Sequence, residues 1–137
     1  MILFINTSKI DLIEVKLIAE NKIIGQAEHH EDYKQAELLL GIIDKLIKSV
    51  KSLKYLAVVS GPGAFSALRL GVATANALAC VLKVPIIELS VAQATGEQKL
   101  IESINKKIAR LTDKRQKDFK PVVPKYGKEP NITVGNR

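Results

Sequence analysis

Hydrophobic and polar positions follow two different rhythms along the 137 residues of this chain. The first apolar run, Ile2 to Asn6, is continuous, as expected of a strand buried on both faces. Asn6-Thr7-Ser8 is a turn signal. Leu12, Val15 and Leu17 mark a second strand over about 11–19, Glu20-Asn21-Lys22 turns the chain, and Ile23 to Ala27 forms a third strand. Two short connections between three strands imply an antiparallel meander. The rhythm then becomes helical. Leu39, Ile43, Leu46, Ile47 and Val50 share one face of a helix over about 33–50, with Asp32 as its candidate N-cap. Leu38 and Ile42 widen that face beyond the ~100° stripe that one sheet contact needs, so a second covering surface is predicted.

Tyr55 to Val59 reads as a fourth strand, 64–82 as a second helix and Pro85 to Leu89 as a fifth strand. A strand, helix and strand of these lengths form a parallel, right-handed crossover. A last helix spans about 90–111, weakened at Gly96, with Leu100, Ile104, Ile108 and Leu111 as its stripe. The expected fold class is therefore α/β: a mixed five-stranded sheet, three antiparallel strands and then two parallel ones, with flanking helices. Pro121, Pro124 and Pro130 break up any regular element beyond that helix. Residues 1–112 are expected to form one lobe and residues 113–137 an extended arm.

The segment from Val58 to Ala73 is the most informative. A buried strand runs into the turn Gly61-Pro62-Gly63 and then into a helix in which only Arg69 is ionised between Ala64 and Leu82. Ala67, Gly71, Ala75 and Ala79 recur at every fourth place and so share one stripe. A stripe without bulk lets another backbone approach closely. The expectation is that this approaching surface belongs to a partner: Leu38 and Ile42 supply apolar area, Ala67, Gly71 and Ala75 permit contact, and Arg69 and Asn76 lie at its polar edge.

Charge changes the picture only at the end of the chain. Residues 1–105 carry eleven basic and eleven acidic side chains, whereas residues 106–137 carry ten basic and three acidic ones, the whole of the net +7. A neutral body with a basic tail could follow a phosphate backbone or an acidic partner surface. No basic lead or run of ~18 apolar residues marks a signal peptide or membrane span. The single Cys80 is expected to be a reduced core residue, and a cytoplasmic location is the matching expectation.

Candidates for chemistry are few. The Gly-Pro-Gly turn opens a helix, where anions are favoured, but no Lys-Ser/Thr pair comes after it, and Ser66 stands where a dinucleotide loop wants glycine. Asn6 at the end of the first strand lacks the charge that a hard cation prefers. Asp11 and Glu14 are three apart on a strand and face opposite ways, as do the adjacent His29 and His30. Ser60 and Ser66 have no His-Asp relay. No catalytic residue, metal site or cofactor is expected.

Ile5-Asn6-Thr7-Ser8, then Ser60-Gly61-Pro62-Gly63-Ala64-Phe65-Ser66-Ala67-Leu68-Arg69-Leu70-Gly71-Val72-Ala73, then Leu78-Ala79 and Pro85, resemble the TsaB (YeaZ) family over about residues 1–95. That family is the dimerization subunit of the bacterial tRNA threonylcarbamoyladenosine modification complex. The resemblance implies an actin-like ATPase (ribonuclease H-like) lobe that has lost catalysis. It implies pairing through the first two helices with a catalytic TsaD-type sister, cooperation with a TsaE-type ATPase, and contact with tRNA indirectly or through the basic arm. A homodimer is the other pairing. The sister's His-x-Glu-Gly-His motif has no counterpart in Ser90-Val91-Ala92-Gln93-Ala94-Thr95, while Phe65 and Leu68-Arg69 favour the non-catalytic branch. Asn6 replaces the family's Asp; Ala64, Ser66 and Ala67 replace Ser, Thr and Gly; and the family's second lobe is expected to be missing. The rival reading is a small actin-like nucleotide-binding enzyme using Gly61 and Gly63.

Overall fold

The computed structural model describes residues 1–30, 35–48, 53–114 and 121–125. Strands β1 (Ile2–Asn6), β2 (Leu12–Ala19), β3 (Lys22–His30), β4 (Tyr55–Gly61) and β5 (Ile86–Ser90) form one sheet in the order β3-β2-β1-β4-β5. The β1–β2 and β2–β3 pairs are antiparallel, and the β1–β4 and β4–β5 pairs are parallel. The expected mixed topology is thus observed. Glu20 and Asn21 both have positive φ, at 50° and 63°, and join the paired Ala19 and Lys22 as a two-residue hairpin turn.

Helices α1 (Gln35–Ile47) and α2 (Phe65–Leu82) cover one face of the sheet, and α3 (Glu97–Lys114) covers part of the other. Leu39 and Ile43 of α1 and Val72, Ala75 and Ala79 of α2 share a core layer with Leu3, Ile5, Val15 and Val58. Leu100 and Ile104 of α3 meet Phe4, Ile18, Ala57 and Leu89 on the opposite face. Each fully buried Leu, Ile or Phe contributes about 1.5–3 kcal/mol. The candidate cap Asp32, the ends of the expected 33–50 helix and most of the expected 113–137 arm lie outside the described residues.

Three boundaries differ from the sequence reading. β3 runs on past the expected end at Ala27 to His30, so His29 and His30 are paired with Ile13 and Leu12. β4 continues through Ser60 and Gly61. The last helix does not start at Ser90: a 3-10 turn at Ala92–Ala94 and Gly96, at φ +87°, precede α3. Cys80, expected in the core, is exposed, because the turn of the helix carries it off the buried stripe that ends at Ala79. By length and composition α2, with a mean hydropathy of 1.6, could cross a membrane. Here its buried residues pack on the sheet.

His30 closes the outer end of β3. Its Nε2 lies 2.7 Å from Glu28 Oε2 and its Nδ1 lies 3.9 Å from Asp11 Oδ2. The hydrogen bond to Glu28, aided by the two carboxylate charges, raises the imidazole above 6.5. The same bond holds Glu28 below 4.5. A raised imidazole stabilises the fold below 6.5 and loses that contribution as pH rises through its folded value. A lowered carboxyl does so above 4.5 and loses it as pH falls. The pair is therefore fully effective between pH 4.5 and 6.5. An NMR titration is expected to place His30 above 6.5, and Glu28→Gln is expected to bring it back down.

Candidate functional site

The parallel strands β1, β4 and β5 end on the same edge of the sheet, where α/β folds commonly place their sites. The chain after β1 and the chain after β4 are locked together there. Asn6 Oδ1 accepts the Ser8 N–H at 3.0 Å, which shapes the turn, and Asn6 Nδ2 donates to Glu14 Oε1 at 3.1 Å. Thr7 Oγ1 donates to the Ala67 carbonyl at 2.7 Å, tying this turn to the first turn of α2. The Ala64 N–H donates to the Ser8 carbonyl at 2.9 Å.

The turn Gly61-Pro62-Gly63 has little free space. Gly61 adopts φ +139°, a region that L side chains rarely enter, and a Cβ there would overlap the Lys125 carbonyl oxygen. A Cβ on Gly63 would overlap the Ser8 carbonyl oxygen. The Val91 N–H donates to the Gly61 carbonyl at 3.0 Å, and the Lys125 N–H to the Ser60 carbonyl at 2.6 Å. The backbone that would cradle a phosphate is therefore held on three sides by the chain itself. Among the described residues, no three His, Cys, Asp or Glu side chains converge on a metal position.

A polar cluster sits beside the turn. Ser60 Oγ donates to Glu88 Oε2 at 2.6 Å, Lys125 Nζ approaches the same oxygen at 2.7 Å, and Lys107 Nζ donates to the Glu88 carbonyl. Burial pushes the Glu88 carboxyl up, but the bonds from Lys125 and Ser60 and the charges of Lys125 and Lys107 outweigh it and hold the group below its ordinary value. Burial lowers the Lys107 ammonium, only partly offset by Glu88. The sequence signal for this cluster was Glu88 itself, one charge inside the apolar run Ile86-Ile87-Glu88-Leu89. Such a charge needs partners.

The small-residue stripe faces inward. Ala67, Gly71, Ala75 and Ala79 are all buried in this chain, and a Cβ on Gly71 would overlap Thr7 Oγ1 and lie 3.1 Å from Thr7 Cβ. What approaches closely is the Thr7 side chain in the chain's own β1 turn, which corrects the expectation that Ala67, Gly71 and Ala75 are open to a partner. Asn76 is likewise engaged at home: its Nδ2 donates to the Val122 carbonyl and its Oδ1 accepts the Val122 N–H, each at 2.8 Å. Leu38 and Ile42 are half-buried against the α1–α2 core layer. Arg69 is exposed, 5.5 Å from the Phe65 ring centroid.

The outer side of α2 carries a different stripe. Phe65, Arg69, Ala73, Ala77 and Val81, again four apart, are all exposed. Phe65 is 47% and Val81 76% exposed, so this surface is apolar with one charge. On α1, Leu40 is 61% exposed and Gly41 has open space above it.

The strand order and the two helices on one face give an actin-like, ribonuclease H-like lobe. The chain belongs to the TsaD family, described as tRNA N6-adenosine threonylcarbamoyltransferase, whose model matches residues 18–120. This is a family of tRNA modification. Among solved structures, the chain is similar to YeaZ from Pseudomonas aeruginosa, with TM-score 0.59 and 24% identity over 65% of this chain and 43% of that one. It is equally similar, with TM-score 0.59 and 24% identity, to an uncharacterized protein with similarity to peptidase YeaZ from Pseudomonas aeruginosa, covering 65% and 42% of the two chains. The likeness to both is one of fold. The chain spans less than half the length of either structure. No curated protein matches the sequence.

Proposed function

We propose that this protein is a non-catalytic scaffold subunit in tRNA threonylcarbamoyladenosine modification. It would pair through the outer surfaces of α1 and α2 with a TsaD-type catalytic sister, alongside a TsaE-type ATPase, in the cytoplasm. The observation that carries this reading is the exposed stripe Phe65, Arg69, Ala73, Ala77 and Val81 on a helix whose other side is already fully used by the fold. Small residues at its centre let a partner helix come close, while Phe65 and Val81 at its ends supply apolar area. Two helices of this size can bury the ~1,600 Å² of a standard interface. The filling of the strand-end turn by Ser8 and Lys125 supports a loss of the nucleotide role.

The test uses a charge placed on the outer stripe. Ala73→Arg is expected to leave the thermal midpoint within experimental error, because Ala73 is exposed. It is expected to weaken binding to a co-expressed TsaD-type sister by about 100-fold or more, since an unpaired charge is desolvated on docking. Unchanged binding in calorimetry would exclude this face. The same titration with ATP and magnesium is expected to give weak or no heat. The tRNA contact through the basic arm, residues 113–137, is a separate element of the proposal. It requires binding that falls steeply with salt.

A further inference from the structure

Residues 121–125 lie along the end of β4, the end of β5 and the flank of α2, and each contact there reads a different feature of the segment. Asn76 exchanges two 2.8 Å hydrogen bonds with the Val122 backbone, as a neighbouring strand would. The Ser60 carbonyl accepts the Lys125 N–H at 2.6 Å. Val122 is 8% exposed and enters the core layer of α2, whereas the next residue, Val123, is 67% exposed. Glu88 meets Lys125 Nζ at 2.7 Å. Gly61, bare of a side chain, leaves room for the Lys125 carbonyl. Backbone held at two points, one apolar pocket and one acidic pocket three residues on are the elements of an extended-peptide site.

We propose that this groove is a peptide-recognition site, filled in cis by residues 121–125, whose occupant in trans is the same segment of a second copy of this chain. The specificity of the groove matches this chain's own sequence: an apolar residue at 122 and a lysine at 125 facing Glu88. The groove and its ligand are carried together by every copy, so reciprocal exchange closes a two-fold dimer with no new contact. The local segment has an effective concentration on the order of millimolar, which keeps exchange rare in dilute wild-type protein.

The experiment reverses charges in the full chain. Glu88→Lys and Lys125→Glu each place like charges together in cis and also in any homodimer. Mixed, the two chains match in trans: the Lys125 segment of one fits the Glu88 groove of the other, and the glutamate introduced at 125 fits the lysine introduced at 88. Sedimentation velocity and native mass spectrometry are expected to show a 1:1 heterodimer at least about tenfold tighter than either variant alone. Asn76→Ala in both chains is expected to abolish it. A double Glu88→Lys/Lys125→Glu chain is expected to be monomeric like wild type, though less stable, because Lys107 then faces a positive charge at position 88. A mixture that stays monomeric while both variants are folded by circular dichroism overturns the proposal. If Glu88→Lys does not fold, a labelled peptide of residues 121–125 is titrated into full-length Lys125→Glu, whose changed side chain is 69% exposed in the parent. Binding at least about tenfold tighter than to wild type sustains the site, and absence of binding removes it.

Discussion

Gly71→Leu is expected to unfold this protein rather than to detach a partner from it. Even Gly71→Ala is expected to cost about 2–5 kcal/mol, combining overpacking with the loss of a buried hydrogen bond. The reason is local. A Cβ at position 71 lands on the Thr7 side chain, and Thr7 is 1% exposed and bonded through Oγ1 to the Ala67 carbonyl. The turn after β1 cannot easily retreat, because Asn6 is bonded to Glu14 before Thr7 and the Ser8 carbonyl accepts the Ala64 N–H after it. Chemical denaturation of Gly71→Ala, Thr7→Ala and the double variant would measure the coupling. Thr7→Ala in the Gly71→Ala background should restore about half of the loss, since the overlap with Oγ1 is removed while the 3.1 Å approach to Cβ remains and the hydrogen bond stays absent. Additive single effects would mean that Thr7 and Gly71 do not share this contact. Because α2 also carries the outer stripe, Gly71 variants will weaken any pairing indirectly, and only substitutions such as Ala73→Arg separate docking from folding.

That reversal shows what was legible in the chain. The period of the apolar residues placed the five strands and the helices, since β1 is apolar from Ile2 to Ile5 and α1 and α3 have clear stripes. The recurrence of Ala67, Gly71, Ala75 and Ala79 was also visible, together with its meaning, close backbone approach. Its direction was not. An almost uncharged helix offers no polar side to mark solvent, and close approach to one's own sheet and to a partner demand the same small residues. The one available clue was Arg69, which lies about 200° around the helix from Gly71 at 100° per residue and so marks the opposite side as the exposed one. The docking of residues 121–125 had no periodic signal at all. It depends on one apolar side chain, one lysine and backbone groups, all of which meet their partners only through the tertiary fold. Glu88 could have been found as a charge in an apolar strand, but its partners Ser60, Lys107 and Lys125 are scattered across the sequence.

An aspartate in place of Asn6 at the end of β1 is expected to destabilise this chain. Asn6 serves as donor and acceptor at once: Nδ2 donates to Glu14 Oε1 at 3.1 Å and Oδ1 accepts the Ser8 N–H at 3.0 Å. An ionised aspartate keeps the second bond, loses the first and points an oxygen at a carboxylate, in a position that is 8% exposed. Lys16 Nζ, 3.5 Å from Glu14 Oε2, offsets only part of this repulsion. Asn6→Asp is therefore expected to cost about 2–4 kcal/mol at pH 7. The sign of its pH dependence comes from linkage. Two carboxylates sharing one place retain a proton more readily when folded than when unfolded, so the folded state is favoured as protons are added. The deficit against wild type should shrink as pH falls through the raised value of the pair, because a protonated aspartate can again donate to Glu14. Glu14→Gln in the same background should recover most of the stability at pH 7, since the amide donates to the introduced aspartate where the carboxylate repelled it. Urea unfolding at pH 7 and pH 4.5 separates the possibilities. A deficit that is equal at both, or that Glu14→Gln leaves in place, would mean that the strand end tolerates a second carboxylate and that Asn6 is not tuned to Glu14. If the deficit behaves as expected, Asn6 and Glu14 act as a matched donor and acceptor pair that pins the β1 turn, and the turn in turn fixes Thr7 under α2.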